Sequence, residues 1–539
     1  LWPPNTAVSW QAILYDRPNL DPWRLHLEFT ALVAIWVWRR PRPRKRITLL
    51  FAGLYLFALV YTLYEGFIRS YYLLDPIWYN DFPLFRDGAH YVLHSLHLAP
   101  IVYFLALAAL AGLAALVALL LHALLNTSTQ IGSQRVTRWV LLALLVWATA
   151  VWLAKGSAMS EPSTAVASLT SKLAHNASLS QEAWQASRQF TRDRLTPFYE
   201  QTPADLATKP NIYLIFVESY GSVLYQRPDF RRNYLALTSQ LNDDLTADGW
   251  HVVSSRSESP TWGGGSWIAY TSAISGLPIT AHAQYLLLLN QYQTQTLPSL
   301  PNYLRQQGYK SYSISGNADV LPEIEWQRYK LFYGIDQWWR VDELSYTGPL
   351  YGWGPSLPDQ YAFGYAQEQM RQQGEPHFLF YVTQNSHYPW HPLPPVTADW
   401  QELATLPTPS FSTERVPHAV LRQRYWRAIE RQLEGLLGDV QTHGRANDLY
   451  IIIGDHQPAR VANYGDGWDT PIHIVTQDPA LAEAFLPFGF VPGFDTEALT
   501  PAPLHHAGLY SLLSHVLLTQ YGADPTTAPP YLPFGTQQK

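Results

Sequence analysis

The chain has 539 residues, 47% of them hydrophobic and only 14% charged, with a formal net charge of −6. That length leaves room for several domains, the low charge suits a chain partly in lipid, and the mild acidity gives no reason to expect nucleic acid as a partner. Cysteine is absent, which excludes disulfides and thiol chemistry, and 21 tryptophans are what aromatic belts at membrane interfaces supply.

Residues 1–24 are polar and proline-containing, with no signal-peptide pattern. Leu25–Trp38 is a short apolar stretch, followed by Arg39-Arg40-Pro41-Arg42-Pro43-Arg44-Lys45-Arg46. Between two apolar stretches, such a cluster predicts a short cytoplasmic loop under the positive-inside rule. The predicted spans are 25–38, 47–63, 99–125 and 139–154, the third being the longest and richest in Leu and Ala. Arg135 and Arg138 mark a second cytoplasmic loop. Everything after Lys155 then lies outside the cytoplasm, on the periplasmic or extracellular side of the cell membrane. The same parity puts the N-terminus outside; with Leu1 in place of Met, an earlier span is expected to precede it. The short first stretch, with Glu28 inside it, leaves open that it is no span at all.

The expected organisation is a membrane anchor over 1–155, a juxtamembrane linker over 156–208 with a polar helix near 180–195, an α/β domain over 209–525 and a tail over 526–539. From 209 strands and helices alternate. Asn211–Val217 (NIYLIFV), Phe378–Thr383 (FLFYVT) and Leu449–Ile453 (LYIII) read as buried strands, with others at His251–Ser255 and Tyr309–Ser315. Apolar strands of this kind are covered by helices on both faces, and such sheets bind ligands beyond the carboxyl ends of their strands.

The chemistry-bearing residues fall where that rule puts them. Glu218 follows NIYLIFV; Asp455 and His456 follow LYIII after Gly454; His387 follows FLFYVT. Ser266 follows Gly263-Gly264-Gly265 and opens a predicted helix, where backbone N–H groups and the helix dipole favour an anion. Taken singly, Glu218 reads as a helix-capping acid and Asp455-His456 as a solvated turn. Together, two carboxylates, an imidazole and a hydroxyl at one sheet edge make a mixed O/N set suited to one Zn²⁺ or Mn²⁺. A metal on Ser266 would lower its hydroxyl pKa and make it a nucleophile.

On these residues, and over about 209–520 with the multi-span anchor, the chain resembles the membrane-anchored phosphoglycerol transferases of the lipoteichoic acid synthase type, within the alkaline phosphatase/sulfatase superfamily. The resemblance implies an α/β/α sandwich and one metal held by Glu218, Ser266, Asp455 and His456. The family nucleophile is usually threonine, so Thr261 is the rival to Ser266; Ser275-Gly276 stands at the expected interval from Ser266. The resemblance also implies that Trp326 and Arg328, after Gly316-Asn317, read the substrate, and that His387 contacts the phosphoryl group. His473 is a further candidate near the site. His505-His506 and most of the tryptophans, including Trp262, Trp353 and Trp390, read as structural.

Two departures from the family pattern leave the substrate open: the triple glycine before the serine, and Asn-Ser-His-Tyr-Pro at the histidine turn. The implied reaction moves a phosphoglycerol or phosphoethanolamine headgroup from a membrane phospholipid to an envelope glycan or lipid acceptor. Sulfate-ester hydrolysis and phosphodiester hydrolysis are the rivals. A sulfatase needs Cys or Ser followed by x-Pro-x-Arg, whereas this chain has Ser266-Trp267-Ile268-Ala269-Tyr270. A non-catalytic envelope-binding protein is the reading from another class.

Overall fold

The computed structural model describes residues 24–39, 45–71, 75–83, 85–86, 100–131, 135–155, 166–189, 205–316, 323–352, 356–374, 376–409, 416–462, 464–499 and 501–536. The arginine-rich loop at 40–44, Asn317 and Trp353 lie outside them, as do most of the expected linker and the last three residues of the tail. The chain forms two compact units, one holding Ala7–Trp184 and the other Gln185–Lys539.

In the first unit, three helices are long and apolar enough to cross a membrane: Lys45–Arg69, Pro100–Thr127 and Arg135–Ala154. Pro100–Thr127 has a mean hydropathy of 2.8 over its most apolar stretch, and none of that stretch is covered by protein. Leucines such as Leu105, Leu107 and Leu110 point outward, as a lipid-facing helix requires. The expected first span is helical from Leu27 to Arg39. Its 13 residues reach only about 20 Å, against a hydrocarbon core of about 30 Å.

Glu28 explains part of that difference. Its carboxylate accepts from the Ser168 hydroxyl at 2.6 Å and from the backbone N–H groups of Leu169 (3.1 Å) and Thr170 (3.0 Å). An acid there satisfies orphan donors at the start of the helix Leu169–Gln189. The preceding β1 (Leu25–His26) pairs in parallel with β2 (Val166–Ala167). The helix Leu169–Gln189 starts earlier than the polar helix expected near 180–195. Its early start follows from this cap and from Lys172, which ion-pairs with the buried Glu65.

The second unit is built on a nine-stranded mixed sheet. Its strands are β3 (Asn211–Val217), β4 (His251–Glu258), β5 (Lys310–Ile314), β6 (Gln337–Trp339), β7 (His377–Val382), β8 (Asp448–Gly454), β9 (Asp469–Thr476), β10 (Val491–Pro492) and β11 (Leu504–His505). The order across the sheet is β10-β4-β9-β8-β3-β7-β5-β6, with β11 beside β4. β8, β3, β7, β5 and β6 run parallel, while β9 runs antiparallel to both β8 and β4. Every residue of β3 and β8 is buried, so the runs NIYLIFV and LYIII need no polar alternation.

Candidate active site

Parallel pairing decides the site. β3 and β8 pair in register from Asn211 opposite Asp448 to Val217 opposite Gly454, so the next residues, Glu218 and Asp455, leave the sheet side by side. β7 ends beside them and continues into Thr383–His387. β4 points the same way, because it is antiparallel to the antiparallel β9. Its chain runs on through the glycine turn to the helix Ser266–Ser275. Gly454 permits the close approach: a Cβ there would sit 1.9 Å from the carbonyl oxygen of Tyr220. Gly265 caps the serine helix with φ 78° and ψ 35°, a left-handed conformation that favours glycine.

The result is a buried cluster. Ligand atoms of Glu218, Asp455 and His456 all lie within 4.8 Å of one another. The Ser266 hydroxyl donates to Glu218 Oε2 at 3.1 Å and sits 3.2 Å from His456 Nε2. His456 Nε2 is 3.6 Å from Glu218 Oε1 and 3.4 Å from Asp455 Oδ2. His456 Nδ1 lies 2.9 Å from the Gln457 carbonyl oxygen. Donation to that carbonyl turns the Nε2 lone pair inward, the usual orientation of a metal-binding histidine.

The electrostatics match. Burial works against a charge on Glu218, but the charges of His387 and His456 and hydrogen bonds from Asp455 and Ser219 outweigh it and hold that carboxyl at about 2. Burial pushes the Asp455 carboxyl well above the usual range, and the Glu218 charge adds to the rise. Burial lowers the His456 imidazole, while the Glu218 charge works to raise it. Asp455 Oδ2 is buried and accepts no hydrogen bond. An acceptor oriented into a carboxylate–imidazole cluster without a donor fits a divalent cation, and the donor set suits Zn²⁺ or Mn²⁺.

Of the two candidate hydroxyls, only that of Ser266 enters the cluster. Thr261 donates instead to the Gly264 carbonyl at 2.6 Å and closes the glycine turn. His387 lies close enough for its charge to act on both Glu218 and His456. Its Nδ1 is 2.6 Å from the Tyr388 carbonyl.

His473, Trp326 and Arg328 each have partners outside the cluster among the described residues. His473 is fully buried within β9, with Nε2 2.9 Å from the Tyr220 hydroxyl and Nδ1 2.7 Å from the Ser254 hydroxyl. The antiparallel direction of β9 is the reason: only its first residues reach the site edge, and His473 pairs with mid-strand Ile452. Trp326 is 6% exposed, packs on Trp338 and carries the Arg340 guanidinium 4.5 Å above its ring. Arg328 donates to the Leu289 carbonyl (3.2 Å) and the Asn290 side chain (2.9 Å), at the end of the helix His282–Gln291. At the start of that helix His282 accepts from Trp267, the residue after Ser266, at 3.0 Å.

Several contributors gave no motif in the sequence. Ser219 adopts φ 59°, donates its hydroxyl to Glu218 (2.8 Å) and its N–H to Asp455 (2.8 Å). Thr383 accepts from the Glu218 N–H at 3.0 Å. Asp359 accepts from the backbone of Gln384 (2.8 Å) and Asn385 (2.7 Å) and so anchors the turn that carries His387. His506 contacts the Gly454 carbonyl at 3.0 Å and the Ser257 hydroxyl at 2.9 Å, a structural role as expected. Thr383 and Ser219 could have been found as polar residues next to strand ends; Asp359 could not, since only the fold brings it to the turn.

Residues 268–481 match the family model described as Sulfatase. This part of the chain is similar to that family. The match begins two residues after Ser266 and takes in Asp455 and His456. No curated protein matches the chain by sequence. Solved structures similar to the chain include the lipoteichoic acid synthase LtaP from Listeria monocytogenes, at 14% identity over 52% of this chain and 71% of that one, TM-score 0.36. Another is the Streptococcus pyogenes phosphoglycerol transferase GacH in complex with sn-glycerol-1-phosphate, at 12% identity over 65% and 84%, TM-score 0.37. A third is the soluble domain of lipooligosaccharide phosphoethanolamine transferase A from Neisseria meningitidis, at 12% identity over 62% and 96%, TM-score 0.37.

Proposed function

We propose that the sulfatase-like domain is a metal-dependent phosphotransferase acting at the outer face of the cell membrane. It takes a phosphoglycerol or phosphoethanolamine headgroup from a membrane phospholipid and passes it to an envelope glycan or lipid hydroxyl. The observation that carries this reading is the Ser266 hydroxyl 3.1 Å from Glu218 and 3.2 Å from His456, beside the unmatched Asp455 oxygen. The three apolar helices favour a lipid-borne donor over a soluble ester.

Glu218, Asp455, His456 and Ser266 would hold one Zn²⁺ or Mn²⁺, which lowers the Ser266 hydroxyl pKa and offsets charge on the phosphoryl oxygens. Ser266 Oγ attacks phosphorus, and its proton passes to Glu218, to which it already donates. The bond from phosphorus to the diacylglycerol oxygen breaks as His387 gives that oxygen a proton. A phosphoserine bearing the headgroup remains. An acceptor hydroxyl then attacks phosphorus and loses its proton to His387, while the bond from phosphorus to Ser266 Oγ breaks and Glu218 returns its proton to that oxygen. The helix N-terminus behind Ser266 favours the phosphoryl charge throughout.

Full-length protein in detergent, loaded with Mn²⁺ or Zn²⁺, is incubated with fluorescent phosphatidylglycerol or phosphatidylethanolamine. Diacylglycerol release from one of them, absent in Ser266→Ala, is the expected result. Absence of release from both lipids under either metal would overturn the lipid donor and favour sulfate esters or soluble diesters as substrates.

A further inference from the structure

Arg328 donates to the Leu289 carbonyl and the Asn290 side chain. A phosphoryl group carried by a metal and one imidazole still presents oxygens that a guanidinium fork matches better than any other side chain. Arg460 stands five residues beyond Asp455, in the segment that leaves the cluster.

Three contacts fix its position. Its guanidinium lies 5.4 Å from the centroid of the Tyr388 ring, and Tyr388 is the neighbour of His387. Ala459 packs against Gly263 so closely that a Cβ on that glycine would lie 2.9 Å from the Ala459 Cβ. The Gln457 N–H donates to the Trp262 carbonyl at 2.9 Å. The segment from Asp455 to Arg460 thus runs from the metal ligands, along the glycine turn that presents Ser266, to the ring beside His387.

The backbone around Arg460 is pinned from outside as well. His418 Nε2 lies 3.2 Å from the Arg460 carbonyl, and Arg422 donates to the Val461 carbonyl at 2.6 Å while ion-pairing with Asp229 at 2.7 Å. Pro458 accepts from both Val461 (3.0 Å) and Ala462 (2.9 Å), closing a tight turn. Tyr388 in turn rests on Trp390, which packs on Tyr425, and Tyr425 donates to the Ser219 carbonyl at 2.9 Å. The platform under Arg460 is therefore continuous with the residue that orients Glu218 and Asp455. A cation on a rigid platform loses little freedom when it meets an anion.

We propose that Arg460, seated on Tyr388, is the residue that binds the phosphate oxygens of the substrate, in the role the sequence motif assigns to Arg328. The assignment rests on the reading of the cluster as a phosphoryl site. The test uses full-length, metal-loaded protein carrying Ser266→Ala, so that binding is measured without turnover. Inorganic phosphate and sn-glycerol 3-phosphate are titrated by calorimetry into this background and into the same background with Arg460→Ala, Arg460→Lys or Arg328→Ala.

A charge-assisted contact predicts that Arg460→Ala weakens both ligands about tenfold to a hundredfold. Arg460→Lys restores part of that loss, because it keeps the charge without the fork. Arg328→Ala leaves both affinities within about twofold. Tyr388→Leu, which removes the ring and keeps the charge, gives an intermediate loss and guards against an Arg460→Ala variant that does not fold. In the Ser266 enzyme, Arg460→Lys raises KM for the lipid with little change in kcat.

Unchanged phosphate affinity in Arg460→Ala, or a loss in Arg328→Ala alone, would overturn the assignment even if lipid turnover proceeds. Phosphate binding through Arg460 without any lipid turnover would uphold it and overturn the proposed reaction instead. Loss of glycerol phosphate binding with inorganic phosphate unaffected would place Arg460 on the glycerol and also overturn it.

Discussion

Each unit of the chain buries a carboxylate cluster, and the two are balanced in opposite ways. In the first unit Glu65 is 1% exposed and meets two buried cations: Arg69 at 3.3 Å and Lys172, whose ammonium hydrogen-bonds to its other oxygen. Arg69 also pairs with Asp75 at 2.7 Å. In the second unit Glu218 and Asp455 face each other with only imidazole nearby; among the described residues neither has an Arg or Lys ion-pair partner. A buried anion needs a counter-charge. The first cluster carries its own and ties a helix end to the linker helix; the second has the donor set of a candidate metal site. A buried charge set is structural when its sum closes, and a candidate site when it does not.

The largest effect that breaks this contrast comes from the reacting group. Ser266→Ala should reduce lipid turnover by at least about a thousandfold, since it removes the hydroxyl that contacts both Glu218 and His456. Thr261→Ala should cost turnover far less, because that hydroxyl only closes the turn. Side-by-side turnover of the two variants decides between them, and a dead Thr261→Ala enzyme beside an active Ser266→Ala one would reverse the assignment of nucleophile.

The next effect is on stability, and its sign differs between the clusters. Glu65→Gln leaves Arg69 and Lys172 buried without their shared anion and should cost about 3–5 kcal/mol whether or not metal is present. Asp455→Asn should do the reverse in chelator: removing one of two abutting carboxyls relieves the pressure that raises Asp455, so the chelated variant melts no lower than chelated parent. With Zn²⁺ or Mn²⁺ added, the parent should gain several degrees and Asp455→Asn little. Melting curves of both variants with and without chelator test this. A metal-independent loss in Asp455→Asn would make the second cluster as structural as the first.

These contrasts also explain what the sequence disclosed. Glu218, Asp455, His456 and the strands behind them were legible because a buried parallel strand is a continuous apolar run and its exit is one residue wide. His473 looked equivalent, since it too stands in an apolar run, but the sequence does not state a strand's direction, and an antiparallel β9 carries His473 into the core. The Trp326 and Arg328 motif was matched by spacing alone, and spacing does not say which end of a neighbouring helix a side chain meets. Arg460 and Asp359 act through contacts with residues far away in sequence, so no local pattern marks them. The first span was misleading for a different reason: apolar character was read correctly, whereas the helix has only 13 residues and its Glu28 serves as a cap.

A smaller effect follows from the turn that carries His387. Asp359 receives the N–H groups of Gln384 and Asn385 and the Tyr381 hydroxyl, and none of these is a ligand of the proposed metal. Asp359→Asn keeps the shape but turns an acceptor into a donor facing backbone N–H groups. We expect turnover about tenfold lower with metal affinity unchanged, the size of effect typical of a residue that positions catalytic groups. Metal titration of the variant beside its turnover checks the split; a parallel loss of metal would place Asp359 in the support of the cluster itself.

The smallest effect comes from the two core histidines. Burial holds His473 and His506 at about 3, against an ordinary 6.5, so both are neutral in the folded protein. The unfolded chain takes up protons at both below about pH 6.5, the folded chain only near pH 3. The folded state therefore loses ground as pH falls through that window, by up to about 1.4 kcal/mol per unit for each histidine, and is indifferent above it. His473→Gln offers hydrogen-bonding groups toward Tyr220 and Ser254 without a titrating group. It should be less stable at pH 7.5 yet lose less on acidification to pH 5 than the parent does. Melting curves of chelated protein at the two pH values keep the metal ligands out of the comparison. An equal acid loss in variant and parent would mean that His473 is already charged in the fold, and a charged ring there would need an anion that its two hydroxyl partners do not supply.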